Sequence, residues 1–212
     1  MVYLKLIQEL QKKEYFVFSI NDLFILFPDE NKKTLHNQLT EWIKRKYIIR
    51  LKKGLYELTD KGSPGVILPD LFVANRLFTP SYISMETALS IYNIIPEVAF
   101  GVTSVTTNVT RVFKNIHGQF RYFSCRPKAF TGYTINEYSG FKVAIAEKEK
   151  AVVDFLYFRF RGSQSPDFSE ERIDKDIIKK LDWSKLFYYC ELYNERVKSM
   201  AKRLKEFIDA DL

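Results

Sequence analysis

The sequence predicts an α+β protein in two parts: a small helical head closed by a β-hairpin, then a larger mixed region with a mostly antiparallel sheet and C-terminal helices. Three observations predict it. Apolar residues recur at helical spacing as far as residue 44, then alternate over 47–58 around a Lys-Lys-Gly turn. A Gly- and Pro-rich run, 59–69 (TDKGSPGVILP), interrupts the pattern. Beyond it Val, Thr, Phe and Tyr dominate 99–145 before helical spacing returns. The expected boundaries are 1–60 for the head, 61–79 for a linker and 80–212 for the second part.

In the first helix Leu4, Ile7 and Leu10 share one face, and the charged cluster 12–14 ends it. Phe16 and Phe18 alternate as a short strand. Ser19 stands three residues before Asp22, the spacing of a capping box, and opens a helix through Leu23, Phe24 and Leu26 that Pro28 stops. Residues 29–31 cap the next helix. There Leu35, Leu39, Trp42 and Ile43 form an apolar stripe at about 100° per residue, while Lys33, Asn37, Thr40 and Lys44 line the opposite side. In the hairpin Ile49, Leu51, Tyr56 and Leu58 are expected to face inward, Arg50 and Lys52 outward, with Gly54 supplying positive φ at the turn.

Charge is concentrated in this stretch. Residues 31–58 hold eight basic side chains against two acidic ones, a surplus of six out of the chain's net +7. Polyanion contact is the natural inference. Lys and Arg bind phosphate, and Asn and Thr can read base edges, so a mixed face has the chemistry that a bare charge run lacks. Helix, short strand, helix, turn, helix, hairpin is the order of a winged helix-turn-helix domain, and duplex DNA is the expected partner. The candidate contacts are Lys32, Lys33, Thr34, His36, Asn37, Thr40 and Lys44 on the helix, with Arg50, Lys52 and Lys53 on the hairpin. About 60 residues make a small core, so the head is expected to lean on the second part or on a second copy.

A second helical segment, 70–78, belongs either to the linker or to the second part. Ser84 is placed to cap a helix through Met85, Ala88, Leu89 and Tyr92, which Asn93 and Pro96 close. Strands are expected at 99–107, 110–114, 119–124, 132–135 and 141–145, for a sheet of about four or five strands. A helix comes next over 146–161, with Ala151, Val152, Phe155 and Leu156 inward and 147–150 as a charged, exposed first turn. A loop at 162–167 and two or three helices complete the pattern.

Other chemistries find little support. Cys125 and Cys190 stand far apart without a C-x-x-C motif and read as buried hydrophobes, so neither a disulfide framework nor a zinc site is signalled. No Walker loop or G-x-G-x-x-G occurs, and no cofactor is implied. His36 and His117 lack a Ser or Cys partner in a motif, and both read as surface residues. A metal-dependent nuclease would need an acid and a Lys two positions apart on one strand face; Glu147 is followed at that spacing by Glu149, so the chain reads as a non-enzyme. Phe155, Tyr157, Phe158 and Phe160 run in several directions, and at least half must be core; Arg159 and Arg161 among them are the candidates for a second interaction surface. Without a signal peptide or a membrane-length apolar run, a cytoplasmic location is the default.

A series of short motifs carries a resemblance across about residues 10–160. In order they are Tyr82-Ile83-Ser84-Met85-Glu86-Thr87-Ala88-Leu89, then Ile95-Pro96-Glu97, then Val102-Thr103-Ser104-Val105-Thr106 with Arg111. Gly118-x-Phe120-x-Tyr122, Gly132-Tyr133, and Glu149-Lys150-Ala151 with Asp154 continue it, and Arg50-Leu51-x-x-Gly54-x-Tyr56 adds the hairpin. Together they resemble the AbiEi antitoxin family, predicted transcriptional regulators of viral defence. The resemblance implies an antitoxin of a type IV abortive-infection toxin–antitoxin system. Its N-terminal domain would bind inverted repeats upstream of its own operon and repress it, as a homodimer or as cooperating monomers on DNA, and its C-terminal domain would confer antitoxicity. The toxin implied is a nucleotidyltransferase, countered without a stable complex. Lys148 stands where the family usually has Pro before Glu-Lys-Ala, a departure that leaves the helix intact because Pro in a first turn is optional. The alternative of another class is a protein-interaction module whose winged head serves assembly.

Overall fold

The computed structural model describes residues 3–59, 61, 65–96, 101–162 and 167–210, with side chains from residue 5 onward. The expectations placed on Leu4, on 62–64, on Glu97, on 99–100 and on 163–166 lie outside the described residues. The chain divides into two compact units, Met1–Pro69 and Asp70–Leu212, so the helix at 70–78 belongs to the second.

The first unit runs α1 (Tyr3–Lys12), β1 (Val17–Ser19), α2 (Ile20–Leu26), α3 (Lys32–Lys44), β2 (Ile48–Lys52) and β3 (Leu55–Leu58). Its three strands pair antiparallel in the order β1-β3-β2. Leu6, Leu10, Phe18, Leu23, Leu39 and Ile48 close a core between helices and sheet. The capping box forms: the Asp22 amide donates to Ser19 Oγ at 3.1 Å, and the Ser19 amide donates to Asp22 Oδ2 at 2.6 Å. Asn31 Oδ1 accepts from the amides of Lys33 and Thr34, satisfying two orphan donors at the start of α3. Gly54 takes φ +78° at the hairpin turn, and its carbonyl accepts from the Ile20 amide at 3.1 Å.

The hairpin corrects one expectation. Ile49 is only half-buried, and Ile48 is the side chain that enters the core. The cause is a shift of register between Arg50, opposite Tyr56, and Lys52, opposite Leu55. An extra residue in one strand reverses the alternation beyond it, so Ile48 and Leu51 both point inward although they are an odd number of residues apart.

The second unit runs α4 (Asp70–Leu77), β4 (Ser81–Ile83), α5 (Met85–Ile91), β5 (Val102–Thr106), β6 (Arg111–Asn115), β7 (Gly118–Ser124), a 3-10 turn (Pro127–Ala129), β8 (Tyr133–Tyr138), β9 (Phe141–Ala146), α6 (Lys148–Arg159), α7 (Lys175–Lys179), α8 (Trp183–Glu191) and α9 (Glu195–Asp209). The sheet has six strands in the order β6-β7-β5-β4-β9-β8. It is mixed: β4 with β5, β6 with β7 and β8 with β9 are antiparallel, whereas β4 with β9 and β5 with β7 are parallel. β4, at the centre, was not expected as a strand.

Helices cover both faces of this sheet. Side chains of neighbouring strand residues point to opposite faces, and Tyr122 meets α4 through a 2.6 Å hydrogen bond to the Ala74 carbonyl while Phe123 packs its ring against Phe158 of α6. Gly132 lies where a Cβ would come within 2.7 Å of the Tyr189 ring, and its φ of +73° also favours glycine. α8 therefore closes directly onto the start of β8.

Candidate nucleic-acid interface

α3 presents the face that its sequence pattern predicts. Leu35, Leu39 and Trp42 are buried, and Lys32, Lys33, Thr34, His36, Asn37, Thr40, Glu41 and Lys44 are exposed. At about 100° per residue, Lys33, Asn37, Thr40 and Lys44 fall within about 60° of one another around the axis.

Within that face the side chains are not equally available. Thr40 Oγ1 donates to the His36 carbonyl at 3.0 Å, so its proton is used within the helix. His36 Nδ1 lies 2.8 Å from the Lys32 carbonyl, an acceptor, so in this contact Nδ1 is the donor. The same ring lies tilted against Phe24, with centroids 6.1 Å apart, and Lys32 Nζ lies 5.2 Å from the Phe24 centroid, so α2 holds both side chains toward itself. Lys44 pairs with Glu41 at 2.9 Å, and that contact pulls the Glu41 carboxyl below its ordinary range. Lys33 and Asn37 make no side-chain hydrogen bond or ion pair among the described residues.

On the hairpin Arg50 and Lys53 are exposed, and Lys52 is half-buried. Arg50 sits at the last paired position before the shifted register, which turns it away from the core side chains Ile48 and Leu51. The ten candidate contacts thus separate into a small set of open groups, Lys33, Thr34, Asn37, Arg50 and Lys53, and a set already engaged within the unit.

The second unit corrects a larger expectation. Lys150, placed by its sequence context on an exposed charged turn, is fully buried together with Asp154. Asp154 Oδ2 accepts from Tyr82 Oη at 3.0 Å and from Ser84 Oγ at 2.7 Å. Its Oδ1 accepts from Tyr193 Oη at 2.5 Å and from Lys150 Nζ, which also meets Tyr193 Oη at 3.1 Å. The ammonium lies 4.8 Å from the Tyr193 ring centroid and 5.5 Å from that of Tyr82. Burial together with the Asp154 charge raises the phenols of Tyr82 and Tyr193 well above the ordinary tyrosine range. Ser84 therefore stands at the N-cap of α5 without capping it, because its hydroxyl is turned to Asp154.

In the rest of that run, Glu147 and Glu149 are held by α8 and its cap. Glu147 Oε2 accepts from Tyr189 Oη at 2.5 Å and pairs with Lys185 at 2.9 Å, contacts that lower its carboxyl pKa. Glu149 accepts from the Asp182 amide, and Lys148 lies 5.7 Å from the Tyr92 ring centroid. The signal for burial was present in α6: its apolar residues fall on every side, the mark of a helix packed all round, where a charge must be paired. His117 is also corrected. Its side chain is 14% exposed, and its Nδ1 lies 3.2 Å from Asp70 Oδ1.

Arg159 pairs with Glu171 at 2.9 Å, whereas Arg161 lies over the Tyr157 ring at 6.0 Å. Phe155 and Phe160 are buried, and Tyr157 and Phe158 are half-buried. Among the described residues no group of His, Cys, Asp and Glu is arranged to hold a metal ion, and no helix is long and apolar enough to cross a membrane. No protein-family model matches the chain, and no curated protein matches its sequence.

Proposed function

We propose that the first unit is a winged helix-turn-helix domain that binds duplex DNA, and that the chain acts as a non-enzymatic autorepressor and antitoxin. The observation that carries this reading is the open Lys33–Asn37 face of α3, presented by a helix whose other side is packed into the core. Such a face enters a major groove with Asn37 toward base edges and Lys33 toward phosphate, while Arg50 and Lys53 of the hairpin hold backbone. The operator would be inverted repeats upstream of the gene, each half read by one copy. The antitoxin role, against a nucleotidyltransferase toxin, rests on the motif resemblance and is assigned to the second unit.

The test is the salt dependence of duplex binding by the full chain. If about six phosphates are neutralised, log K falls against log salt with a slope of about −5. A slope near zero, or equal affinity for the upstream repeats and a scrambled duplex, would sink the proposal.

A second reading, a protein-interaction module, is favoured by one feature of the second unit. β8 is an edge strand whose six residues are all exposed, with Tyr133, Ile135 and Tyr138 among them and Glu137 its single charge. An edge with so little charge is open to pairing with a partner's strand. Co-purification with the neighbouring gene product, joined to an absence of duplex binding at low salt, would select it.

A further inference from the structure

The sheet of the second unit ends on one side in β6 and on the other in β8. β6 carries the exposed cations Arg111 and Lys114, and charge on an edge strand opposes further pairing. β8 has no such guard: Tyr133–Tyr138 holds no Lys, Arg or Pro, its pairing with β9 runs without a shift of register, and all of its residues are exposed. That pairing also fixes which backbone groups of β8 are open. The Glu147 amide donates to the Gly132 carbonyl at 2.9 Å, and these two residues stand opposite each other one step before the Tyr133–Ala146 pair. In an antiparallel ladder, bonded and non-bonded pairs alternate. Thr134, Asn136 and Tyr138 therefore direct their backbone groups to β9, whereas the N–H and C=O groups of Tyr133, Ile135 and Glu137 point off the sheet.

The open positions are symmetric about Ile135. An antiparallel copy of β8 laid along the edge with Ile135 opposite Ile135 sets every open position against another, since Tyr133 then faces Glu137 and Glu137 faces Tyr133. Sliding the copy by about two residues leaves an open position opposite chain beyond the strand, and bonds are lost. The side chains match in the same register. Tyr133, Ile135 and Glu137 project on one face, where the Tyr133 ring stacks 4.8 Å from that of Tyr82. There Ile135, 67% exposed, meets its own copy, and each Tyr133 hydroxyl is offered to a Glu137 carboxylate. The single charge of the strand never faces itself. On the other face Thr134 stands opposite Asn136, hydroxyl against amide. We propose that β8 is a homodimer interface, in which two copies pair antiparallel about a two-fold axis at Ile135 and join their sheets into one. The dimer rests on the same open edge as the interaction reading, with a second copy of the chain as its occupant, and it needs no residue of the first unit.

Sedimentation equilibrium of the full chain without DNA tests it. The mass should move from 25.1 kDa toward twice that value as the concentration rises from about 1 to about 200 μM, the regime of a small interface. Ile135→Lys sets two cations against each other at the axis and should weaken association by about tenfold or more. Its side chain is exposed, so the variant is expected to melt with the parent chain and a loss of association reports on the edge. Cysteine trapping reads the register. Directly opposed bonded residues have Cα atoms about 5.5 Å apart, within disulfide reach, so Ile135→Cys should link two copies on mild oxidation, whereas Glu137→Cys, which faces Tyr133, should not. The native Cys125 and Cys190 are buried. A mass that stays at 25.1 kDa throughout, association that survives Ile135→Lys, or linkage through Glu137→Cys in place of Ile135→Cys overturns the proposal. A chain that stays single yet co-purifies with the neighbouring gene product would also overturn it, and would leave the interaction reading standing.

Discussion

Two exposed side chains on the first unit divide the labour expected of a DNA reader. Asn37 carries both a donor and an acceptor on one amide, the pattern that pairs with adenine in the major groove, whereas Lys53 is a point charge on the hairpin turn. Asn37→Ala should therefore cost about 1–3 kcal/mol of discrimination between the upstream repeats and a scrambled duplex. Lys53→Ala should weaken both duplexes alike and flatten the salt slope by about 1. Anisotropy titrations on the two duplexes separate these outcomes, and identical behaviour of the two variants would show that α3 does not read sequence. Residue roles of this kind were legible in advance where the chemistry is local: the Asn31 cap, the Ser19–Asp22 box and the Gly54 turn all involve partners within a few positions. Thr40 and His36 were less legible, since whether a hydroxyl or ring faces outward depends on a carbonyl one turn away.

At the scale of elements, α6 shows where reading from sequence stops. Charges within a helix are ordinarily solvated, and Lys150 and Asp154 have the i, i+4 spacing of a surface pair. Only the arrival of β4 and of the segment after α8 turns that pair into the centre of the fold, through Tyr82, Ser84 and Tyr193. β4 itself escaped notice because three residues are too few to show alternation. The pair makes a definite prediction. Asp154→Ala leaves a buried ammonium uncompensated and should destabilise the second unit by about 3–5 kcal/mol. The double variant Lys150→Met with Asp154→Leu should recover a good part of that loss, since apolar groups of similar volume need no partner, although three hydroxyls must then find others. Urea denaturation of the single and double variants measures both, and a double variant no more stable than Asp154→Ala would mean that the hydroxyl network, rather than the ion pair, dominates.

For the molecule as a whole, the mixed α+β character came from composition shifts and periodicity, whereas strand order did not. Parallel pairing of β4 with β9 joins residues far apart in sequence, and no local pattern encodes it. Stability of the second unit should also have a defined alkaline limit. Burial raises the thiol of Cys125 to about 11 and that of Cys190 to about 12. A folded chain that keeps a proton which the unfolded chain releases loses stability as pH rises, here from about 9, where a free thiol ionises, toward those higher values. The slope is about 1.4 kcal/mol per pH unit for each such group. Melting temperatures tracked from pH 8 to 11 should fall across that window, and a flat profile would show that the thiols are open to solvent.

The four donors around Asp154 also set an order of events at the ribosome. Tyr82 and Ser84 are made first, Lys150 much later, and Tyr193 later still, so the carboxylate cannot be fully partnered until translation has passed α8. The buried pair is thus a late-closing knot: the core of the second unit is complete only once the chain beyond α8 has been made.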